Sequence, residues 1–519
     1  MEILGLVDIP LWLLLLLMLA ALLYVYGTWT HSTWSSLGIP GPKPWPLVGS
    51  TRELMQKSQF RVYSEWKQKY GKIYGFYFGV RPILVVHDLD MLREIMVKHF
   101  NNFGDRNMVR GMRPSEIDKG LFFAGGTAWK RIRNMMTPTF SGSKLKLMSH
   151  YINRCSNLLT KNIEQKVSTD QDIDVKDVFG SYTMDVIAGT AFGLETNSQT
   201  EEGEPFVVHC KALFENMTRG GSLRSLIYFI TMFPFMGPWL GKVGVTFFYT
   251  EHSRFFINAL QQMIQNRREQ EPSEQKTADL LQMLVDAEAD SDQITDSADQ
   301  SDNTKSHRRM TKEEIIGQGF IVMIAGYETT ATTLQYLTYN LTRNPEEQEK
   351  IYQEIRDNIG DEEPTYENVS TLKYLEAAIR ESLRLFSPVP TIDRKALETV
   401  TINGMTIPAG CGVIIPIHSL MHDPDIFPEP EKFLPERFLE ENRSKLDPLA
   451  AELPFGYGPR QCIGMRLAMI EVKFAAIRIY RAFRFFKCDS TPEEISMGKA
   501  FGLAVPDVPI KVKAECRAV

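Results

Sequence analysis

The chain has 519 residues, of which 43% are hydrophobic and 24% are charged, so it is long enough to bury a large core. Its net charge of -6, with both signs interspersed, gives no sign of a basic surface, and we expect no nucleic-acid partner. Six cysteines are scattered without a C-x-x-C pair. This pattern argues against a disulfide scaffold or a zinc site and favours a reducing compartment.

The N-terminal segment is strongly apolar. Residues 11–26, LWLLLLLMLAALLYVY, contain no charged side chain and, with the flanking residues 3–9, approach the roughly 20 residues that cross a bilayer. No Lys or Arg precedes the run and no small-residue cleavage site convincingly follows it, so an anchor is favoured over a cleaved signal peptide. The first lysine, Lys43, follows the span and places the rest of the chain on the cytosolic side. We predict residues 1–30 to be a membrane anchor.

Residues 31–50 contain alternate prolines in the stretch LGIPGPKPWPLVGS. Such a segment favours an extended backbone and suits a semi-rigid spacer, so we predict a Pro-rich hinge here and one folded domain over residues 51–519. Within that domain, the alternation of residues 72–86 predicts a β-hairpin. Most of the remaining pattern is helical, and the acidic, Ser-rich residues 286–310 predict a surface loop.

A second apolar concentration covers residues 226–249 and is broken by prolines and glycines, which argues against a second membrane span. The sequence favours neither of two interpretations of this segment. The segment is either part of the core or a hydrophobic surface loop that dips into the bilayer.

A helix is predicted to begin near Thr311, where Thr311 and Glu314 form a capping-box pattern. Residues 325–333, AGYETTATT, place a glycine, an acid and alcohols in the middle of this apolar helix. The Thr329 hydroxyl is expected to bond the Ala325 carbonyl and bend the helix, which would create a notch for a small ligand and a proton relay. A polar face turned to solvent is the alternative for this segment alone.

Further along, Glu381 and Arg384 stand three residues apart and share one helix face, so they are expected to pair. The strongest motif follows at residues 454–466, PFGYGPRQCIGMR, just before a helical pattern. Cys462 at a helix N-terminus would be stabilised as a thiolate, and the glycines would let a flat ligand approach. Such a thiolate is either a nucleophile or a metal ligand, and no recognisable histidine partner motif supports the nucleophile.

These three motifs, in this order, resemble those of membrane-bound cytochromes P450, most like the animal drug- and steroid-oxidising branch. The resemblance covers the chain from the anchor to the C-terminus and makes residues 51–519 a haem-thiolate monooxygenase domain. It implies a mainly α fold with small β-sheets (α+β), preceded by a single-pass transmembrane helix.

By this resemblance Cys462 is the axial thiolate on the iron of haem (iron-protoporphyrin IX), and Thr329 and Glu328 are the catalytic alcohol and proton-supplying acid. Arg106 is a weaker haem-contact candidate. The other residues that the resemblance assigns to haem binding are Phe455, Gly458, Arg460, Gly464, Ala325, Trp129, Arg133 and Arg394. The resemblance also implies that Glu381, Arg384 and Arg437 form a salt-bridge network that braces the cysteine loop.

The resemblance implies insertion of one oxygen atom from O2 into a lipophilic substrate such as a steroid, fatty acid or xenobiotic. The sequence has no nicotinamide- or flavin-binding motif, so electrons are expected from an NADPH-dependent cytochrome reductase, with cytochrome b5 as a second candidate. The expected location is the endoplasmic reticulum membrane, with the catalytic domain facing the cytosol. The candidate docking cations are Lys130, Arg131, Lys473, Arg478 and Arg481, and a solvated helix face is the default interpretation of the same residues.

By the same resemblance, substrate contacts are expected from residues 106–124, 205–249, 320–330, 387–392 and 500–504. The apolar side chains proposed for this lining are Phe122, Phe123, Phe320, Ile324, Val389, Phe501 and Leu503.

Two other classes of function compete with this interpretation. A haem-thiolate isomerase or lyase would rearrange lipid peroxides without O2, but relatives of that kind tend to lack the Thr of the acid-alcohol pair. A non-catalytic haem protein would sense or carry ligands and form no oxidised product with NADPH and reductase.

Overall fold

The structure is a computed structural model, and it describes residues 10–108, 113–201, 203–219, 221–245, 250–269, 279–288, 309–498 and 502–517. Predictions for residues 3–9, for most of the 286–310 loop and for Phe501 therefore lie outside the described residues. So do the parts of the 106–124 and 205–249 regions that fall at 109–112, 202, 220 and 246–249.

Most of the described chain is helical, as expected for a mainly α fold. The α-helices are α1 Leu11–Thr28, α2 Thr33–Ser36, α3 Thr51–Gln56, α4 Gln59–Tyr70, α5 Leu89–Arg93, α6 Phe100–Phe103, α7 Ser115–Asp118, α8 Gly126–Met136, α9 Gly142–Ser168, α10 Val175–Phe192, α11 Pro205–Arg219, α12 Gly221–Met232, α13 Gly237–Lys242, α14 Glu251–Glu269, α15 Leu280–Asp286, α16 Lys312–Arg343, α17 Pro345–Asn358, α18 Tyr366–Val369, α19 Lys373–Leu385, α20 Ile417–Met421, α21 Glu440–Arg443, α22 Pro448–Glu452 and α23 Met465–Ala482.

Short 3-10 and π-helical segments lie between these helices. One π-helical segment covers Glu94–Lys98, and the 3-10 segments are Thr137–Phe140, Pro234–Met236, Pro435–Phe438, Leu453–Phe455 and Gly458–Arg460.

Within the ranges given above, the β-structure is small and divided among three sheets. The strands are β1 Ile73–Phe78, β2 Arg81–Val86, β3 Ile173–Asp174, β4 Ile392–Lys395, β5 Val400–Ile402, β6 Met405–Ile407, β7 Gly412–Ile415, β8 Phe483–Lys487 and β9 Lys511–Cys516. Four strands pair in the order β1-β2-β7-β4, three in the order β3-β9-β8, and β5 pairs with β6. The predicted hairpin is confirmed, since β1 and β2 are antiparallel with Phe76 opposite Ile83.

The chain divides into two compact units. The first comprises residues 1–112, 220–243 and 392–416, and the second comprises residues 113–219, 244–391 and 417–519. In the first unit, α4 packs on the four-stranded sheet through a core that includes Trp66, Phe76 and Val85. In the second unit, α9, α10, α16, α19 and α23 surround a larger core that contains Tyr182, Leu337 and Phe474.

The N-terminal apolar segment forms α1, which is 18 residues long and, among the described residues, is the one helix long and apolar enough to cross a membrane. Its C-terminal end contacts the rest of the first unit. The Tyr26 hydroxyl donates to the Met232 carbonyl at 2.9 Å, and the Tyr26 ring stacks on Phe233 with centroids 5.7 Å apart. The Pro-rich segment also contacts this unit, because the Gly75 N–H of β1 donates to the Pro40 carbonyl at 2.8 Å.

The second apolar stretch contains both buried and exposed side chains, and insertion of the exposed ones into a bilayer stays a prediction. Tyr228 and Ile230 of α12 are buried, whereas Phe235 and Trp239, near the start of α13, are 66% and 58% exposed. Pro234 and Pro238 interrupt the helices here because proline cannot continue the helical hydrogen-bond ladder.

Candidate functional site

The cysteine loop folds back on itself between two 3-10 turns. Gly456 and Gly458 have φ of 79° and 75°, in the left-handed region that favours glycine. This geometry lets the Cys462 N–H donate to the Phe455 carbonyl at 2.9 Å. Phe455 packs against the main core of the second unit. The loop therefore needs the two glycines to hold Cys462 in place ahead of α23.

The Cys462 thiol lies at the N-terminal end of α23, where the backbone N–H groups of Gly464 and Met465 bond the sulfur. Burial raises the pKa of the Cys462 thiol, while these N–H groups and the Arg133 guanidinium act in the opposite direction. Cys462 as a residue is exposed. The loop therefore presents an exposed cysteine whose sulfur is bonded by two backbone N–H groups.

Arg460 and Trp129 contact each other although they are 331 residues apart in the chain. No local sequence pattern predicts this contact. The Arg460 guanidinium lies 4.3 Å from the centre of the Trp129 ring. It also donates to the carbonyls of Leu121 and Ala124, at 3.2 and 2.7 Å. The loop before α8 is thereby joined to the cysteine loop, and a cation stacked on an aromatic face is held rigidly.

Arg133 lies one helical turn after Trp129 on α8, so both side chains are on the same side of that helix. Burial lowers the pKa of Arg133, and Cys462 is the group whose charge opposes that effect. Within the described ranges Arg133 forms no salt bridge with a carboxylate. The predicted haem-contact residues Cys462, Arg460, Trp129 and Arg133 therefore belong to one part of the second unit.

The middle of α16 has an open face. The helix begins with the predicted capping box of Thr311 and Glu314. Ala325 is exposed although most of the neighbouring residues of the helix are buried, and the Thr329 hydroxyl donates to the Ala325 carbonyl at 2.7 Å, as predicted. On the face of α16 that packs against α10, a side chain larger than that of Gly326 would not fit, because a Cβ atom added there would lie 2.7 Å from the Ile187 side chain. The glycine permits close helix packing, and the small alanine leaves space beside the threonine.

Glu328 is held in an ion pair that the sequence did not reveal. Its carboxylate accepts from the Lys176 ammonium at 2.8 Å, and Lys176 also donates to the Thr332 hydroxyl at 2.8 Å. The Glu328 side chain is 8% exposed and that of Lys176 is 28% exposed. The predicted acid is thus buried with a partner that reaches the surface. Lys176, in the first turn of α10, belongs to no motif that would have identified it.

The predicted pair on α19 is confirmed and completely buried. Arg384 donates through Nε and Nη2 to the two oxygens of Glu381, each at 2.8 Å, and both side chains are 0% exposed. Arg437 Nε donates to Glu381 at 3.3 Å. The remaining Arg384 donors bond the carbonyls of Met421 and Lys432. A buried charge with this many partners joins α19 to the segments that precede the cysteine loop.

Arg394 belongs to the first unit, on β4, and is 2% exposed. Its Nη1 donates to the Asp393 carbonyl at 2.8 Å, while Nε has no hydrogen-bond partner within the described ranges. Burial and the neighbouring Arg106 lower the pKa of Arg394 to about 9. Arg106 Nη1 lies 3.3 Å from the Asp393 carboxylate. Both arginines are therefore buried close to one acid.

Four of the five candidate docking cations have partners within the protein. Arg131 pairs with Glu314, Lys473 with Glu376, and Arg478 with Glu363. Arg481 donates to the carbonyls of residues 360 and 362. Lys130, the fifth, is exposed. Docking of an acidic partner by these residues stays a prediction, and the four contacts show that helical periodicity does not reveal which cations meet distant partners in the fold.

The predicted apolar lining is also partly revised. Phe122 is 39% exposed, but Phe320 is fully buried, with its ring 6.2 Å from that of Phe256. Phe320 thus packs α16 against α14 instead of facing an open space, whereas Ala325 lies at the accessible position.

Comparison with known proteins finds one family over most of the chain. The family model described as "Cytochrome P450" matches residues 39–514. Among similar proteins, cytochrome P450 3A27 of Oncorhynchus mykiss is 36% identical over 505 residues, which cover 97% of this chain and 94% of that protein. Cytochromes P450 3A7 and 3A5 of Homo sapiens are each 35% identical, over 100% of this chain and 99% of each protein.

Proposed function

Because this chain belongs to the cytochrome P450 family and is a haem-dependent monooxygenase, we propose that it inserts one oxygen atom from O2 into a lipophilic substrate with electrons from an NADPH-dependent reductase. The observation that carries the proposal is the exposed residue Cys462, whose sulfur is bonded by two N–H groups at a helix N-terminus. A steroid, a fatty acid or a xenobiotic is the expected class of substrate.

The residues fit haem. Cys462 is an exposed residue whose sulfur is bonded by backbone N–H groups. Ala325 is small and exposed and lies one helical turn before Thr329. Arg133 and Arg394 form no salt bridge with a carboxylate in the described chain. We assign Cys462 as the iron ligand and assign Arg133, Arg394, Arg460 and Trp129 to the propionate side. Further contacts are assigned to Phe455, Gly458, Gly464 and Ala325.

When bound, haem iron with an axial thiolate supplies the reductive activation of O2. The protein has to keep the Cys462 sulfur deprotonated, and the N–H groups of Gly464 and Met465 favour that charged form. The Cys462 N–H bond to the Phe455 carbonyl fixes the direction of the sulfur. These contacts make the ligand rigid before the cofactor is bound.

We assign proton transfer to Thr329 and Glu328. The Thr329 hydroxyl lies on the open face of α16, where it holds a proton directed at the Ala325 carbonyl. The Glu328 carboxylate bonds Lys176, whose side chain reaches the surface. Protons from solvent would therefore arrive at Lys176 and pass to Glu328 when this ion pair opens.

The anchor supports a membrane location. We propose that α1 spans the endoplasmic reticulum membrane once, with the catalytic domain, residues 51–519, in the cytosol and residues 31–50 as the connecting hinge. The reductase, and cytochrome b5 as a second donor, would then meet the domain at the membrane surface. Lys130 is the exposed one among the predicted docking cations.

The ligand assignment is tested by the spectrum of the reduced carbonyl complex. The wild-type protein is expected to show the red-shifted Soret band of thiolate ligation, and Cys462→Ala is expected to lose it. Cys488→Ala is the matched control, because Cys488 is half-buried and lies outside the loop. A red-shifted band that persists in Cys462→Ala would exclude Cys462 as the ligand.

The reaction is tested by product analysis in a mixture of the protein, reductase, NADPH and a panel of steroids, fatty acids and drugs. Oxidised products that require NADPH and O2 support monooxygenation. Turnover of a lipid hydroperoxide without NADPH, and no NADPH-dependent product, would instead identify the isomerase or lyase.

A further inference from the structure

Gln318 of α16 is a fully buried polar side chain outside the set of residues assigned to haem. Its Oε1 accepts from the Leu121 N–H at 2.7 Å, and its Nε2 donates to the Lys119 carbonyl at 2.9 Å. Nε2 also donates to the Glu314 carbonyl, one turn earlier on α16, at 2.9 Å. One amide therefore bonds the loop at residues 119–121 and its own helix at the same time.

The three contacts determine which way the Gln318 amide points. An amide oxygen accepts and an amide NH2 group donates, and the partners here are one N–H and two carbonyls. With the oxygen and the nitrogen exchanged, each contact would join two donors or two acceptors. Without the amide, the Leu121 N–H would lose this bond in a buried region, which costs free energy.

Two glycines allow the loop to reach α16. A Cβ added at Gly317 would lie 2.3 Å from the Glu116 carbonyl oxygen, and one added at Gly120 would lie 2.6 Å from the Ile321 side chain. Both distances are too short for a van der Waals contact, so larger residues would push the loop away from the helix. The two backbones therefore touch where Gln318 makes its bonds.

The same loop holds the Arg460 guanidinium. Leu121 donates its N–H to Gln318 and accepts at its carbonyl from Arg460 Nη1 at 3.2 Å. Arg460 Nη2 donates to the Ala124 carbonyl at 2.7 Å, and the guanidinium stacks on Trp129. Gln318 thus fixes the peptide group before the Leu121 Cα, and Arg460 bonds the peptide group after it. A single residue of the loop connects the buried amide to the cation.

Gln318 also shares a face of α16 with Ala325 and Thr329. These two residues follow it by about two and about three helical turns, so the three side chains lie on one side of the helix. That face is buried at Gln318, where the loop packs, and exposed at Ala325. The loop that holds Arg460 is therefore attached to the same side of α16 that carries the proposed proton-transfer alcohol.

We propose that Gln318 is a positioning residue for Arg460: it holds the loop at residues 119–121 so that the guanidinium stays on the propionate side of the haem. The inference rests on the proposed function, which assigns Arg460 to that side. A guanidinium binds a carboxylate best through two parallel hydrogen bonds, and this requires a fixed direction. Because the carbonyls of Leu121 and Ala124 set that direction, movement of the loop moves the cation. Gln318 acts through Arg460 and does not itself touch the cofactor.

Gln318→Met in the full-length holoenzyme tests the proposal, because it removes all three bonds at similar side-chain volume. Gln348→Met is the matched control. The buried Gln348 amide donates to the carbonyls of Leu341 and Phe485 at 3.1 and 3.0 Å and accepts from the Phe485 N–H at 2.8 Å. A merely structural loss is therefore common to both variants. Haem release to apomyoglobin is expected to be at least about threefold faster in Gln318→Met than in Gln348→Met.

Two further measurements show whether Gln318 acts through Arg460. In an Arg460→Met background, adding Gln318→Met is expected to change haem release less than about 1.5-fold, because the cation that it positions is absent. The reduction potential of the haem iron is expected to fall in Gln318→Met and not in Gln348→Met, since a displaced cation compensates less propionate charge. Equal release rates in the two glutamine variants, an undiminished effect without Arg460, or an unchanged potential would each refute the proposal.

A milder pair of variants keeps the comparison possible if Gln318→Met does not fold. Gln318→Asn and Gln348→Asn withdraw the amide by one carbon, and the same differences in haem release and potential are expected between them. The reduced carbonyl spectrum of the wild type reports separately on Cys462. Loss of the thiolate signature there would contradict the proposed function, whereas a normal signature with equal release rates would contradict only the role of Gln318.

Discussion

Glu314→Gln tests how α8, which carries Trp129 and Arg133, is held to the start of α16. Glu314 accepts from Arg131 through both oxygens, at 2.6 and 3.2 Å, and the two side chains are 9% and 5% exposed. Glutamine retains an oxygen that can accept from the Thr311 N–H in the capping box. The substitution therefore removes the charge of the pair while leaving most of the local hydrogen bonding.

The expected cost is large because the substitution removes the charge of the acid that meets both Nη groups of the buried Arg131. Removing one partner of a buried ion pair costs about 3–5 kcal/mol, whereas removing both partners costs less than the sum of the single losses. Arg131→Met should therefore destabilise similarly, and the double variant should recover about 0.5–3 kcal/mol relative to that sum.

The assay is urea unfolding followed by far-ultraviolet circular dichroism, with haem release measured in parallel. Glu313→Gln is the matched control, because neighbouring Glu313 pairs with Lys119 at 3.5 Å with both side chains nearly half exposed. Such a pair contributes about 0–1 kcal/mol. Additive effects of the single substitutions at Arg131 and Glu314, or equal losses for Glu313→Gln and Glu314→Gln, would refute the reasoning.

Three further predictions concern the loop, the proton path and acid stability. Gly458→Ala should lower the free energy of unfolding by about 1–2 kcal/mol and speed haem release, because φ at Gly458 is 75°. Gly464→Ala should be tolerated, because φ there is -90°. Equal effects of the two substitutions would contradict the strain argument. Lys176→Gln should lower the rate of product formation and increase the solvent isotope effect on that rate, with substrate affinity unchanged. An unchanged isotope effect would show that Lys176 is not on the proton path. Burial would raise the pKa of Glu376, but Lys473 outweighs this effect and the pKa falls to about 2. The contribution of Glu376 to the free energy of unfolding is therefore complete above pH 4.5 and is lost as the pH falls towards 2. The difference in urea midpoint between wild type and Glu376→Gln should therefore shrink below pH 4.5, and a constant difference would contradict the pKa assignment.

Sequence patterns predicted the local parts of the site well. The hairpin, the capping box of α16, the Thr329 bond to Ala325 and the buried Glu381–Arg384 pair all depend on residues close together in the chain. Spacing of three or four residues fixes a helix face, so such contacts follow from periodicity.

Contacts between distant segments were not predictable in the same way. Lys176 and Glu328 are 152 residues apart, and Arg131 and Glu314 are 183 apart. Periodicity indicates that a charged residue lies on a particular face but not which acid meets it there. For this reason the sequence alone does not show that the cations at 131, 473 and 478 join parts of the fold.

The contact between Tyr26 and the α12–α13 segment has a consequence for how the enzyme is made soluble. In the proposed membrane location, α1 and the exposed side chains of Phe235 and Trp239 would be two attachment points on the first unit, because the Tyr26 contacts join the end of α1 to that segment. Deleting α1 removes one attachment and also uncovers the Phe233 ring that Tyr26 covered. A truncated chain should still bind vesicles, and release into solution should require polar residues at both aromatic positions.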